Sequence, residues 1–199
     1  MGEFVEIAQF VEGLKNLPGF KAPDVYRHVK EHPVRPESLR PYLFFSPASY
    51  TRNLIFKNEF FELLALCWDQ GQVSRIHNHR DQLCWMAVPI GKLKVQNYSV
   101  CDRNPETRHC RLQASTSYLM TPDSPAQVDQ NEPVHLVANR PEFAARAVSL
   151  HVYSNPFDTC EIYSLEDGTY RDVPLHYTSV YGRLLAGETA APPGEEFWG

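Results

Sequence analysis

Two histidines one residue apart are the first residues of this 199-residue sequence whose type and spacing suggest chemistry. His77 and His79 lie in a segment of strand-like composition bounded by Gly71 and Gly91. In an extended strand, residues i and i+2 point to the same face of the sheet, so both imidazoles can reach one metal ion. Cys84 has the opposite parity in a straight strand, so it joins that face only if the chain bulges or turns in between.

His135 is a candidate third ligand, because it lies in another strand candidate, residues 133–139. Three neutral imidazoles at one point would form a facial ligand set that leaves positions open for substrate and dioxygen. The alternative is a core histidine bonded to a backbone carbonyl. The sequence pattern by itself leaves both interpretations open.

A second group of polar residues is formed by Ser149, His151 and Tyr153, which alternate with Val148, Leu150 and Val152 along the chain. In a strand the three polar side chains share one face. If that face is buried, its members must bond one another, whereas a solvent-facing strand needs no such bonds. Because Ser149 lies in no nucleophile elbow, a serine hydrolase is disfavoured.

Arg52 opens the first predicted strand, at residues 51–56. Most arginines are surface cations. At the mouth of a strand, however, a planar guanidinium can bind a small carboxylate with two parallel hydrogen bonds, which a lysine cannot do. Arg52 is therefore a candidate substrate anchor.

The elements that must position these residues are mostly strands. Helices are predicted at residues 3–15 and 24–33, the second with His28 and His32 on a solvated face, followed by one helical turn at 37–40. Many short strands without intervening helices indicate a sandwich or barrel. We expect one domain, with an N-terminal helical segment at 1–45, a barrel at 46–185 and a tail with little capacity to pack at 186–199. The strand candidates are residues 51–56, 59–68, 81–90, 91–100, 108–113, 115–120, 133–139, 146–154, 160–165 and 168–173.

The composition indicates which cellular compartment and which classes of partner suit this protein. A net charge of −5 without a basic run argues against nucleic acid or an anionic membrane as a partner. The N-terminal residues lack the pattern of a signal peptide, and no apolar run is long enough to span a bilayer. Five cysteines without a C-x-x-C pair argue against a disulfide framework or a structural zinc site. A reducing cytoplasm therefore fits the sequence best. We also expect a monomer.

Taken together, these motifs resemble the cysteine dioxygenase family of the cupin superfamily. Gly71, five residues, His77-Asn78-His79, four residues, Cys84, six residues and Gly91 follow the first cupin motif, except that Cys84 replaces the usual metal-binding glutamate. The H-x3-N end of the second motif is matched by residues 135–139. The segments YTRNL at 50–54 and SLHVYSNPFDTC at 149–160 are similar to cysteine dioxygenases in particular, and the resemblance covers roughly residues 40–165.

The resemblance implies an all-β fold, a cupin-type β-barrel (jelly roll) with short N-terminal helices. It implies that His77, His79 and His135 bind Fe(II) and that L-cysteine binds the iron through sulfur and nitrogen, leaving one site for dioxygen. It also implies a reaction that adds both oxygen atoms of O2 to the thiol of L-cysteine and gives cysteine sulfinic acid.

The resemblance further assigns roles around the substrate. Arg52, helped by Tyr50 and the Tyr153 hydroxyl, would hold the substrate carboxylate, and Cys160 would lie near the entrance of the site. Ser149 and His151 would position Tyr153. A thioether bond would join Cys84 to Tyr153.

Two other functions remain open at this point. A dioxygenase of another small thiol, 3-mercaptopropionate or cysteamine, would use the same ligands. Arg52 disfavours cysteamine, which has no carboxylate, and relatives that prefer 3-mercaptopropionate usually carry glutamine at that position. A non-catalytic metal-binding cupin would hold a metal without turnover, but it does not account for Arg52 and the Ser149-His151-Tyr153 face.

Overall fold

The computed structural model describes residues 3–128, 131 and 133–198, so the outer ends of the predicted terminal segments, residues 1–2 and 199, lie outside the described residues. Two helices precede the strands, α1 (Ile7–Lys15) and α2 (Ala22–Glu31), followed by a 3₁₀ helix at Pro36–Tyr42 where one helical turn was predicted. Among the described residues, no helix is long and apolar enough to cross a membrane.

The first helix begins later than predicted, at Ile7 rather than at residue 3. Val5 instead pairs with the segment after α2, since its N–H donates to the carbonyl of Pro33 at 2.9 Å. A reciprocal capping arrangement between Glu6 and Gln9 then starts the helix. The pairing of Val5 with Pro33 joins residues far apart in the sequence, so local periodicity cannot reveal it. It keeps the first residues out of the helix that their periodicity predicts.

His28 is buried, so the prediction of a solvated face for His28 and His32 is wrong for His28. Its Nε2 lies 3.0 Å from the carbonyl oxygen of Phe10, which ties α2 to α1. His32 is half-buried and stacks on the His28 ring. The side of α2 that carries His28 therefore faces α1 and not water.

The strands form two sheets, which confirms the predicted all-β class. Within the described residues the strands are β1 (Thr51–Lys57), β2 (Phe61–Trp68), β3 (Ile76–His77), β4 (Cys84–Ile90), β5 (Leu93–Asn104), β6 (His109–Met120), β7 (Ala126–Gln127), β8 (Val134–Ala138), β9 (Ala147–Ser154), β10 (Thr159–Tyr163), β11 (Tyr170–Pro174), β12 (Ser179–Val180) and β13 (Arg183–Leu184). The seven-stranded sheet has the order β13-β12-β1-β2-β9-β4-β7, and the six-stranded sheet the order β11-β10-β3-β8-β5-β6.

The strand β2 shows where the core lies, because every one of its residues is buried. On one face, Leu64 and Leu66 meet Val95 and Val137 of the other sheet inside the barrel. On the other face, Leu63 and Ala65 lie under the N-terminal helices in a second apolar cluster. A continuous apolar run is what a strand covered on both faces requires, although that pattern is commonest in parallel sheets.

The C-terminal segment packs on the rest of the molecule, contrary to the expectation of a tail with little capacity to pack. Ala191 forms a β-bridge with Phe45. The Phe197 ring lies edge-on to the Phe45 ring at 5.4 Å, and Arg40 lies over the Trp198 ring at 4.4 Å. Its aromatic residues contact the segment before β1, and the local composition of the sequence does not reveal these long-range contacts.

Replacing Gly91 with alanine is expected to destabilise the fold by about 3 kcal/mol. Gly91, between β4 and β5, has a φ of +73°, and a Cβ there would lie 2.6 Å from the carbonyl oxygen of Arg146. Gly187→Ala is the matched control, because its φ is +89° but no atom of the described chain lies within 4 Å of the added Cβ. Urea unfolding should show that the control loses only about 1–2 kcal/mol of its free energy of unfolding. Equal losses in the two variants would contradict the role of the contact with the Arg146 carbonyl.

Candidate metal centre and substrate pocket

Three histidines from two parts of the chain meet at one point. His77 ends β3 and lies directly opposite His135 on β8, while His79 follows β3 by two residues. Their nearest ligand nitrogens all lie within 4.8 Å of one another. His79 and His135 are buried, at 4% and 1% exposure. The structure therefore brings together the three histidines that the sequence singled out.

The chain turns immediately after His79, which answers the question that the parity of Cys84 raised. Arg80 and Asp81 both have positive φ angles, of 49° and 64°. This turn redirects the chain into β4, where Cys84 pairs with Tyr153 of β9 and points into the barrel interior. Cys84 therefore faces Tyr153, and it is not part of the histidine cluster.

Hydrogen bonds orient two of the three imidazoles. His77 Nδ1 lies 2.8 Å from the carbonyl oxygen of Arg75, and His135 Nδ1 lies 3.2 Å from that of Pro133. Each Nδ1 therefore donates to a carbonyl, which leaves Nε2 as the nitrogen with a free lone pair. Among the described residues, His135 Nε2 and both ring nitrogens of His79 are buried without a hydrogen-bond partner.

Burial keeps these rings neutral. It lowers the pKa of His77 to about 4, and it lowers the pKa of His79 and of His135 well below the usual value. The neutral imidazole is the form that binds a metal. Buried ring nitrogens without partners, converging from three neutral donors, fit a divalent transition metal.

A cavity of about 210 Å³ adjoins the histidines. It is smaller than the roughly 300–1,000 Å³ of drug-sized pockets, so its size suits a small molecule. Arg52 supplies a buried cationic group, since Nε and Nη2 are buried without a partner in the described part of the chain, and Cζ lies 5.9 Å from the centre of the Tyr153 ring. The lining includes Tyr50, Arg52, His77, His79, Tyr153, Phe157 and Cys160.

The polar face of β9 is buried, so the alternative of a solvent-facing strand is wrong. Ser149 Oγ lies 2.9 Å from His151 Nε2, and His151 Nδ1 lies 3.1 Å from the Tyr153 hydroxyl. Trp68 Nε1 donates to Ser149 Oγ at 3.0 Å. Burial lowers the pKa of His151 to about 3, so this ring is also neutral. The result is a hydrogen-bonded chain that ends at a phenol in the cavity wall.

Cys84 and Tyr153 are opposite each other on adjacent strands, and both are almost fully buried. Burial raises the pKa of the Cys84 thiol, so this group is protonated near neutral pH. A protonated thiol is a poor metal ligand. The arrangement suits an interaction of Cys84 with Tyr153.

Three residues that interact with the site were not singled out in the sequence. Trp68 shares the strand parity of Leu66 and Leu64, so that signal could have placed it inside the barrel. Phe157, whose ring lies 5.2 Å from that of Tyr153, is in a loop without periodicity and left no signal. Glu62, fully buried on β2, accepts a 2.5 Å bond from the Tyr177 hydroxyl, which comes from a distant segment.

A barrel of two facing sheets, with three histidines converging beside a small cavity, defines the cupin class of metal-binding proteins. The sequence profile of the family described as Cysteine dioxygenase type I matches residues 8–166. The chain therefore belongs to the cysteine dioxygenase type I family, and it is an enzyme of the dioxygenase class.

Two sequence relatives agree with this assignment. The chain is 28% identical over 160 residues to a protein named cysteine dioxygenase type 1 from Danio rerio, across 80% of this chain and 78% of that protein. Identity to the protein of the same name from Rattus norvegicus is 31% over 142 residues, across 71% and 68%. A solved structure, that of the protein TT1209 from Thermus thermophilus, superposes with a TM-score of 0.46 at 18% identity, across 59% of this chain and 93% of that chain.

Proposed function

We propose that this protein is an Fe(II)-dependent cysteine dioxygenase, which adds both atoms of O2 to the thiol of L-cysteine and forms cysteine sulfinic acid. The observation that carries this proposal is the presence of a buried guanidinium, Arg52, in the same small cavity as the three converging histidines. That combination suits a substrate with a carboxylate at one end and a metal-binding thiol at the other.

His77, His79 and His135 are the residues that would hold Fe(II), and the bound iron would supply the redox chemistry between dioxygen and the thiol. The three imidazoles carry no charge, so the protein ligand set contributes no negative charge of its own. A thiol binds a metal as the thiolate. The positive charge of Arg52 in the cavity favours the ionised form of an incoming thiol.

Arg52 would anchor the substrate carboxylate. Its buried Nε and Nη2 are free to donate to two carboxylate oxygens, and the low polarity of the surroundings strengthens such a pair. Tyr50, which stacks on Trp68 with ring centres 4.3 Å apart, also lines the cavity. Phe157 lines the cavity beside Tyr153 and would help to exclude water.

Ser149 and His151 would fix the direction of the Tyr153 hydroxyl. With Trp68 donating to Ser149, the serine hydroxyl can donate to His151 Nε2. His151 Nδ1–H then donates to the phenol oxygen, and the phenol hydrogen is free to turn toward the substrate. In this sense the chain of bonds makes Tyr153 a donor to the substrate.

Oxygen consumption is the experiment that tests the proposal. The Fe(II)-loaded protein should consume dioxygen only when L-cysteine is present and should release cysteine sulfinic acid, identified by mass spectrometry. His77→Ala is the control. Sulfinate formation no higher than in that control would reject the proposal, and a bound metal without turnover would favour a non-catalytic metal-binding cupin.

A thioether between Cys84 and Tyr153 is expected to accumulate during turnover. The Cys84 sulfur would bond to a ring carbon of Tyr153, both atoms would lose a hydrogen, and the electron pair would pass to dioxygen. Peptide mapping should then find the two peptides linked, with a mass lower by one pair of hydrogens. The linked peptide should be absent from Cys84→Ser, and only free peptides in the wild type after turnover would contradict the expectation.

We further propose a monomeric, cytoplasmic enzyme that binds neither nucleic acid nor membranes. All five cysteines lie in the described part of the chain and are free thiols, which supports a reducing compartment. The net charge of −5 supports the absence of polyanionic partners. Size-exclusion chromatography with light scattering measures the oligomeric state.

A further inference from the structure

His79 differs from the other two candidate ligands in how its ring is held. His77 and His135 each have Nδ1 bonded to a backbone carbonyl, whereas neither ring nitrogen of His79 has a partner among the described residues. The nearest rings outside the histidine cluster, Tyr153 and Phe157, lie 5.1 Å and 6.1 Å from it. The position of His79 must therefore be set largely by its backbone.

Asn78, between His77 and His79, is fixed through both its backbone and its side chain. Its N–H donates to the carbonyl oxygen of Glu161 at 3.2 Å, and its Oδ1 accepts from the Glu161 N–H at 3.3 Å. Its Nδ2 donates to Glu161 Oε2 at 2.7 Å and to the Tyr163 hydroxyl at 3.1 Å. These bonds immobilise the residue that joins the two histidines.

Glu161 is in turn held by neighbours on the same sheet. Arg103 Nη2 donates to Glu161 Oε1 at 2.7 Å, and the Tyr163 hydroxyl donates to Oε2 at 2.9 Å. Arg103 also lies over the Tyr170 ring at 4.2 Å. Although burial opposes the charge on Glu161, bonds from Arg103, Tyr163 and Asn78 lower its pKa, so the group is a carboxylate that accepts on both oxygens.

We propose that Glu161 is a positioning residue which, through Asn78, sets the place of His79 at the metal centre. Its carboxylate accepts from Asn78, Arg103 and Tyr163, and the chain leaves the sheet at the Arg80-Asp81 turn just beyond His79. Without this anchor, the residues after β3 would rely on the bonds of Asn78 to the Glu161 backbone, on the ion pair of Arg80 with Asp172 and on that turn. The inference rests on the proposed function only in requiring that the three histidines bind a metal.

The test measures Co(II) binding to the metal-free protein by its visible absorption and by competition with a chelator. Asn78, Arg103 and Tyr163 all donate hydrogen bonds to the Glu161 carboxylate. Glu161→Gln replaces one acceptor oxygen with an amide NH2 donor, so the bonds to that oxygen must break. We expect the Co(II) dissociation constant to rise about 10- to 100-fold, the usual effect of removing a residue that orients a ligand. The absorption bands, which report ligand geometry, should shift as well.

Two further variants complete the design. Asn78→Ala removes the link but leaves the ion pair between Arg103 and Glu161. It should show the same loss of Co(II) affinity, so it keeps the test possible even if Glu161→Gln fails to fold. Asp69→Asn is the matched control, because Asp69 forms a 2.6 Å ion pair with Arg146 outside the histidine cluster. Its Co(II) affinity should stay within about twofold of the wild type.

The outcomes separate positioning from mere structural support. Wild-type affinity and spectrum in both Glu161→Gln and Asn78→Ala, with only a lower unfolding temperature, would overturn the inference. So would a wild type that binds no Co(II). A wild type that binds Co(II) and Fe(II) but does not oxidise cysteine would overturn the proposed function and leave the role of Glu161 intact.

Discussion

Replacing His135 with alanine is expected to abolish the metal centre and, with it, thiol-dependent oxygen uptake. His135 supplies one of three neutral nitrogens that lie within 4.8 Å of one another, and its Nε2 has no other partner in the described chain. Loss of a direct ligand should exceed the roughly 10- to 100-fold weakening that follows the loss of an orienting residue. The Fe(II) dissociation constant should therefore rise more than about 100-fold.

The unfolding temperature separates the loss of the metal from the loss of a buried side chain. Added metal stabilises a protein that binds it only when folded, so the wild type should melt at a higher temperature with Fe(II) or Co(II) under anaerobic conditions. His135→Ala should show no such rise. A metal-dependent rise of wild-type size in His135→Ala would contradict the three-histidine assignment.

His28→Ala is the matched control for this experiment. His28 is another buried histidine, bonded to the carbonyl oxygen of Phe10 outside the cluster. Its replacement should lower the melting temperature of the metal-free protein, because it leaves a cavity and an unpaired carbonyl. The rise on metal addition should persist.

Regular strands made part of the site predictable. Ser149, His151 and Tyr153 belong to β9, which is eight residues long, so strict alternation places them on one face. The fully buried β2 was equally visible as an apolar run. Residues 108–113 and 115–120 were also recognised as strands, although they form the single strand β6.

Irregular backbone and distant pairing set the limit of the sequence prediction. The strands β3, β7, β12 and β13 have two residues each, too few for any periodicity. The place of Cys84 depends on the positive φ angles of Arg80 and Asp81, which residue types alone do not require. Glu161 lies 83 positions from Asn78 in the chain, so nothing local indicates that its carboxylate holds the residue between the two histidines.

Replacing Arg52 with glutamine is expected to lower kcat/KM for L-cysteine by about 100- to 1,000-fold. Two hydrogen bonds between a buried guanidinium and a carboxylate contribute at least about 3 kcal/mol, and each 1.4 kcal/mol is roughly a factor of ten. Most of the loss should appear in KM, because the carboxylate is bound before and during the reaction. Oxygen consumption over a range of thiol concentrations measures both constants.

The choice of thiol tests whether Arg52 acts on the carboxylate. Cysteamine lacks that group, so Arg52→Gln should leave its kcat/KM within a few fold of the wild-type value. Arg52→Lys keeps the charge but loses the planar pair of donors, and it should fall between wild type and Arg52→Gln. Equal losses for L-cysteine and cysteamine would mean that Arg52 supports the fold or the metal centre instead of the substrate.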